Sequence, residues 1–428
     1  MVAEKKTLII PFSAVILAIA VYSKLCPLPS VNSIKSLTKA EDIIFLTGKI
    51  CSNPVKISDR YYSTMLKLES CKNDSGGFAD CSGKFKIIIP SEFVEAFYPQ
   101  KLYSALKKKQ KISEPIENGV LISAQVKYIQ PKKINDKLNE AYFLVEDINS
   151  CGFKNNFLSV LQKWRAYCRL EFKRLMSAWG RAGGLFLALL SGSKEYLEKR
   201  TGNLFRLCGL SHILALSGMH LSLVSSIAQK FGSHTEKKKL AQIFQLATVC
   251  LFVWFAGLSP SLLRALISCI ILAACNIFCI KPKSGIYVLS LTFLIHTFIA
   301  PQDLSSAAFM LSYGALAGIF IFSEFIKNKI SFTVPDFINE NLSASIGANA
   351  FTAPICVKLF GFFSPAGIVC TLLVSPLITI FLYCGLIFMC VSFFIPGFVF
   401  IAGFLMNALY WIIRLIAGLG SVIPVVKA

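Results

Sequence analysis

From residue 204 onward, apolar residues come in long runs with little charge inside them: 204–231, 240–257, 260–280, 285–300, 304–326, 342–363, 367–394 and 398–424. A helix needs about 20 apolar residues to cross a hydrocarbon core. With TLIIPFSAVILAIAVYSKL, residues 7–25, that makes nine expected spans. GGLFLALLS, 183–191, is too short to span and reads as re-entrant or interfacial.

Between 38 and 150 the pattern changes. DIIFLTGKI, YYSTMLKLES, GKFKIIIP, GVLISAQVKYIQ and EAYFLVEDI are short segments rich in β-branched and aromatic residues, several of them alternating, separated by polar or Gly-bearing stretches. SEFVEAFYPQKLYSALKKK, between the third and fourth, reads as a helix with a Ser cap, kinked or split at Pro99. Five strands with a helix in that place is the order of an OB-fold, a fold used to bind single strands or sugars; another small β-domain is the competing reading. FLSVLQKWRAYCRLEFKRLMSAWGR, 157–181, interleaves large apolar residues with Lys and Arg, which predicts an amphipathic helix in the membrane interface. A basic track with stacking aromatics is the alternative.

The predicted fold class is therefore a polytopic α-helical membrane protein with an N-terminal extracytoplasmic OB-like β-barrel domain. Its parts are a membrane anchor (1–37), the OB-like domain (38–150), an amphipathic and re-entrant region (151–200) and a multi-span domain (201–428). Composition agrees: 55% of the 428 residues are hydrophobic, 16% are charged, and the mean hydropathy is +0.62. Lys5 and Lys6 before the first span favour a cytoplasmic N-terminus, and a cleaved signal peptide competes with an uncleaved anchor. Nine spans then place the barrel and the C-terminus outside the cytoplasm, with SHTEKKK (233–239), KPK (281–283) and KNK (327–329) inside.

Forty-four Lys and Arg against 23 Asp and Glu leave a formal charge of +21, which draws the chain to anionic lipid, nucleic acid, or both. Of 15 cysteines, Cys26, Cys51, Cys71, Cys81 and Cys151 lie in the polar region, and a disulfide is plausible there if it lies outside the cytoplasm, Cys71 with Cys81 being the first choice. No nucleotide-binding loop, dinucleotide fingerprint or zinc-protease motif is present. No cofactor is expected, and any uphill movement must draw on a gradient or a partner ATPase.

Polar residues inside apolar runs are costly and mark candidate sites. Here they are His212, Ser217, His220, Arg264, Asn276, His296, Asn349, Asn407 and Arg414. GLSHILALSGMH, 209–220, is the densest such stretch, and a helix would carry Ser217 and His220 on one face. Four readings stay open for it: a serine hydrolase with Ser217 as nucleophile and a histidine as base, a metal site with Cys208, His212 and His220, close helix packing, or a polar translocation pathway. Arg264 either snorkels to the outer interface or offers positive charge to an anionic substrate.

LFRLCGLSHILALSGMHLSLV (204–224) resembles the most distinctive segment of the ComEC family of competence proteins, and LALLSGSKEYLEKRTGNLFR (187–206) is similar to the stretch that precedes it. GLSPSLLRALI (257–267), AAFMLSYGALAGI (307–319) and SASIGANAFTAPI (343–355) follow in the family's order. The resemblance implies passage of single-stranded DNA across the cytoplasmic membrane. It places Ser211, His212, Ser217, Gly218, His220, Arg264, Ser312, Tyr313 and Asn349 in motif positions, with a pore-lining role as the hypothesis. On the barrel, Arg60, Lys67, Lys84, Lys86 and Lys127 are expected to meet phosphates while Tyr61, Tyr62, Phe85 or Tyr128 stack bases. Implied partners are single-stranded DNA, membrane lipid, a separate ATPase or helicase motor, DNA receptor proteins, a separate nuclease and a second copy of the chain. Many family members continue into a metallo-β-lactamase-like domain; its ligands are absent before Ala428, so nuclease activity is not expected. A small-anion transporter remains a further alternative.

Overall fold

The computed structural model describes residues 2–23, 43–73, 78–98, 114–129, 142–232, 238–280, 284–330, 335–395 and 397–427. The chain divides into two compact units. One holds residues 30–178 with Ser193–Glu195; the other holds the first 29 residues, Trp179–Gly192 and everything from Tyr196.

The first unit is built on β1 (Ile43–Ile50), β2 (Val55–Lys56), β3 (Tyr61–Asn73), β4 (Phe78–Pro90), β5 (Leu121–Ile129) and β6 (Tyr142–Gly152). The order β1-β5-β6-β4-β3, with β1 also paired to β3, closes the five long strands into a barrel. All these pairings are antiparallel except β4 with β6. The five strands foreseen from alternation are these five, in OB-like topology. Period-two burial explains them: Leu66, Leu68, Phe85, Ile87, Ile89, Ile122 and Phe143 point inward and are almost wholly buried, while Lys67, Lys84 and Gln125 point out.

The helix foreseen after the third strand begins at Ser91, forms one turn (α2, Ser91–Val94), and tightens into a 3-10 turn over Glu95–Phe97. The remainder of that expected helix, 99–109, lies outside the described residues.

α3 (Phe157–Ala178) belongs to the barrel's unit. Its face bearing Arg165, Arg169, Leu170, Phe172, Lys173 and Met176 is buried, while Phe157, Leu158, Val160, Leu161 and Trp164 are exposed. The basic residues expected to face headgroups are in part internal. Lys173 Nζ donates to Glu117 (2.9 Å), Glu195 (3.2 Å) and the Tyr98 hydroxyl (2.7 Å), and Arg169 lies 3.4 Å from Glu117. Burial pushes the Glu117 carboxyl up, but Lys173 and Arg169 overcome it and hold it at about 2.

The second unit is helical: α1 (Val2–Tyr22), α4 (Gly180–Ser191), α5 (Lys199–Leu207), α6 (Gly218–Gly232), α7 (Lys238–Ala256), α8 (Pro260–Ile277), α9 (Gly285–Ile299), α10 (Ala307–Ile330), α11 (Asp336–Phe360), α12 (Ala366–Phe394) and α13 (Phe398–Gly420). Among the described residues, five helices are long and apolar enough to cross a membrane, in α8, α10, α11, α12 and α13. The remaining expected spans give shorter apolar helices, such as Ile10–Tyr22, Leu240–Ala256 and Gly285–Ile299. α4, foreseen as re-entrant or interfacial, has Ala182 through Ser191 all buried. Asn407 ties it to α13 by accepting from the Ala182 N–H (3.2 Å) and donating to the Trp179 carbonyl (2.8 Å). α10 and α11 touch at glycine: a Cβ on Gly347 would stand 2.9 Å from the Gly318 carbonyl, the close approach that small residues permit.

Candidate functional site

The run 204–231 is two helices with an irregular stretch between them, and its local chemistry says why. Gly209 is left-handed at φ 75°. The Leu210 N–H returns to the Phe205 carbonyl (2.7 Å) and the Gly209 N–H to that of Arg206 (3.3 Å), a Schellman ending for α5. The Ser364 hydroxyl donates to the Leu207 carbonyl (2.7 Å). α6 then starts behind Ser217, whose N–H donates to His220 Nδ1 (3.2 Å). This is half of a capping box, with histidine where glutamate is usual. In lipid, helix ends must find partners within the protein, so much of the polarity of GLSHILALSGMH is spent on ending one helix and beginning the next.

That stop and start brings together residues far apart in sequence. A Cβ on Gly218 would stand 3.0 Å from Arg264 Nη2, so the guanidinium lies against the first turn of α6. Arg264 Nε donates to the Ser312 hydroxyl (2.7 Å), which also receives Ser261 (2.9 Å). Arg264 is only 9% exposed, and among the described residues no carboxylate pairs with it. A buried cation beside a helix N-terminus, whose partial charge is also positive, is an arrangement that favours an anion. Tyr313, next to Ser312, holds His296 Nδ1 (3.2 Å), whose Nε2 faces Asp303 (3.2 Å).

Ser217, Gly218, His220, Arg264 and Ser312 thus form one cluster, with Tyr313 adjoining it in sequence. Ser211 and His212 are exposed in the irregular stretch, where His212 Nδ1 meets the Gly209 carbonyl (3.1 Å). Asn349 bonds back to Ser345 of its own helix (2.8 Å) and does not join them. The Ser217 hydroxyl is 3.1 Å from His220 Nδ1, but that nitrogen already accepts a backbone N–H, and buried Nε2 has no hydrogen-bond partner among the described residues to orient it as a base. Cys208, His212 and His220 do not converge: among the described residues no group of three metal-ligating side chains forms. Ser261 and Asp303 carry no local sequence signal; their partners are 51 and 7 residues away.

On the barrel, strand register corrects part of the expected surface. Tyr62 and Phe85 are core residues, 0% and 1% exposed, so neither ring can stack a base. The Tyr62 hydroxyl donates to Glu95 (2.7 Å), and burial, first of all, pushes its pKa upward. Tyr128 is half-buried against Phe143, ring centres 5.7 Å apart. Tyr61 and Arg60 are exposed beside each other, and Lys86 is half-exposed across from Met65. Lys67 faces Lys84 on β4 and Lys49 on β1, so three lysines form a row across three strands. Like charges directly opposite repel, so such a row costs stability unless an anion neutralises it. Lys49 is not among the residues expected from sequence to meet phosphate, although its alternation with buried Gly48 and Ile50 points it outward. Lys127 is exposed on β5, six residues from Leu121, the partner of Lys49, or about 20 Å along the strand, and stands apart from the row. Cys71 is disulfide-bonded, Cys51 is a free thiol, and the Cys151 thiol donates to the Glu114 carbonyl (3.5 Å). The side chain of Cys81, its expected partner, lies outside the described residues, as does Cys26.

The family model described as Competence protein matches residues 189–427, which contain the whole Arg264 cluster. ComE operon protein 3 of Bacillus subtilis (strain 168) is 26% identical over 241 residues. The match covers 55% of this chain and 30% of that relative, so the chain spans well under half of the relative's length. No solved structure matches. With more than half of its length described by that one model, and GLSHILALSGMH inside the matched region, the chain belongs to the competence protein family.

Proposed function

We propose that this multi-pass membrane protein passes single-stranded DNA across the cytoplasmic membrane during natural transformation. The observation that carries the reading is Arg264: a buried guanidinium with no carboxylate paired to it among the described residues, set against the N-terminus of α6 inside the region matched by the competence family. A phosphodiester supplies the missing negative charge, and the strand's repeated phosphates make one fixed cation useful many times over. The barrel stands outside the cytoplasm and receives the strand on the Lys49–Lys67–Lys84 row, with Tyr61 as the base-stacking ring. The N-terminus is cytoplasmic and the C-terminus is not. The exposed end of α3, Phe157 to Trp164, rests in the membrane interface. A motor and a DNA receptor act from separate chains, and Cys71 pairs with Cys81.

In a competent host, deleting the gene should abolish transformation by marked DNA and the wild-type gene should restore it. Undiminished transformation of the deletion strain would reject the reading. Small-anion transport is distinguished by removing residues 38–150, which should abolish DNA uptake and leave an anion carrier working. For the barrel, Lys49→Gln, Lys67→Gln and Lys84→Gln together should weaken single-strand binding and lower the slope of log K against log salt by about 2, close to 0.7 for each phosphate that a lysine no longer neutralises. Filter binding over a salt series measures both quantities.

A further inference from the structure

On the reading that a phosphodiester sits at Arg264, we infer that His296, held between Asp303 and Tyr313, is a proton-binding site coupled to that anion. His296 lies in the last turn of α9 and is 0% exposed. Both ring nitrogens are engaged: Nε2 stands 3.2 Å from an Asp303 carboxylate oxygen and Nδ1 stands 3.2 Å from the Tyr313 hydroxyl. Four elements surround the ring. Asp303 comes from the 3-10 turn Pro301–Ser305, and with 24% of its side chain exposed it joins the buried imidazole to solvent. Tyr313 and Phe309 come from α10, the Phe309 ring centre 4.9 Å from that of His296. α1 packs on the same side with Ala14, Leu17 and Val21, and its Tyr22 hydroxyl donates to the Leu304 carbonyl (3.1 Å). α8 contributes Arg264, which is within electrostatic reach of Tyr313.

The hydrogen bonds have a direction. An ionised Asp303 only accepts, so Nε2 carries the hydrogen of the neutral ring and Nδ1 accepts the Tyr313 O–H. In this state the hydroxyl hydrogen of Tyr313 is committed to His296. Imidazole is the side chain that changes charge near neutral pH. When the ring takes a proton from water through Asp303, Nδ1 carries a hydrogen as well and donates to the Tyr313 oxygen. The hydrogen of Tyr313 is thereby released, and the Asp303–His296 pair loses its net negative charge. Both changes favour an anion at Arg264: the phosphodiester gains a donor and escapes a repulsion. Coupling between two sites is reciprocal, so the anion draws a proton onto His296 by the same factor.

Isothermal titration calorimetry of the full-length protein with a short oligothymidylate, whose internal phosphodiesters do not titrate near neutrality, tests the coupling. Repeating it in two buffers of different ionisation heat counts the protons taken up per strand bound. Wild type should take up protons at neutral pH, and its affinity should rise roughly tenfold between about pH 8 and pH 5.5, a factor typical of coupled sites. His296→Gln keeps an amide donor and acceptor between Asp303 and Tyr313, and should bind the strand without proton uptake. Asp303→Asn, which removes the countercharge of the imidazolium, should lower the uptake too. Arg264→Met should bind on the barrel alone, again without uptake. Equal proton uptake in wild type and His296→Gln, or none in a wild type that binds the strand, would overturn the coupling. Absence of any binding would instead reject the channel reading on which the coupling rests.

Discussion

Arg264→Met should lower transformation roughly ten- to a hundredfold while the protein still reaches the membrane in normal amount. The estimate is the worth of one hydrogen bond to a charged group, about 1.5–3 kcal/mol, applied to the passage step. Methionine fills similar space and removes the charge, so Ser312 and Ser261 can still bond to each other. Lysine should recover part of the loss, because it restores the charge without the planar fork that reaches both Ser312 and the first turn of α6. The measurement is transformation frequency normalised to membrane protein level. If Arg264→Met transforms like wild type, the guanidinium is a packing element and the passage lies elsewhere.

Lys173→Met should destabilise the barrel unit by about 3–5 kcal/mol, the cost of leaving buried charges without their partner. Glu117 and Glu195 would then face each other at 7% and 3% side-chain exposure, with Arg169 the nearest cation to Glu117. The same network sets an acid limit. Glu117 has its folded pKa depressed to about 2, below the unfolded carboxylate, so it binds fewer protons folded than unfolded. Its stabilisation is complete above about pH 4.5 and is lost as pH falls toward 2. Hydrogen exchange of β5 and α3 in the full-length protein, followed from neutral to acid pH, reads both effects. Exchange in Lys173→Met equal to wild type would show that the cluster contributes no stability.

The barrel was legible because alternation is a local property, and each strand declared its own faces through residues such as Lys84, Phe85 and Lys86. Those same faces argued against stacking by Phe85, since a residue between two outward lysines must point inward. Adjacent Tyr61 and Tyr62 had to take opposite faces, but only the pairing of β3 with β4 decides which is inside. The break within 204–231 was harder. Its signals, Gly209 for a left-handed ending and Ser217 three residues before His220 for a beginning, were present but lay inside apolar sequence, and histidine is not the usual residue in that box. Basic and aromatic residues interleaved in 157–181 look alike whether the helix lies on lipid or on a barrel, and the acids that claim Arg169 and Lys173 come from Glu117 and Glu195, distant in sequence. The meeting of Arg264 with Ser312, 48 residues away, was beyond any local pattern.

The central claim is that the incoming strand passes the Arg264 cluster, and cross-linking in the act of uptake tests it most directly. A photoreactive residue would be placed at Ser217, and in a second strain at Phe404, which is 76% exposed on α13. Cells taking up end-labelled DNA would then be illuminated. Labelled single-stranded DNA attached to the protein at position 217 and not at 404 is the predicted result. Cross-links at neither site in cells that are transforming, or equal cross-links at both, would contradict it.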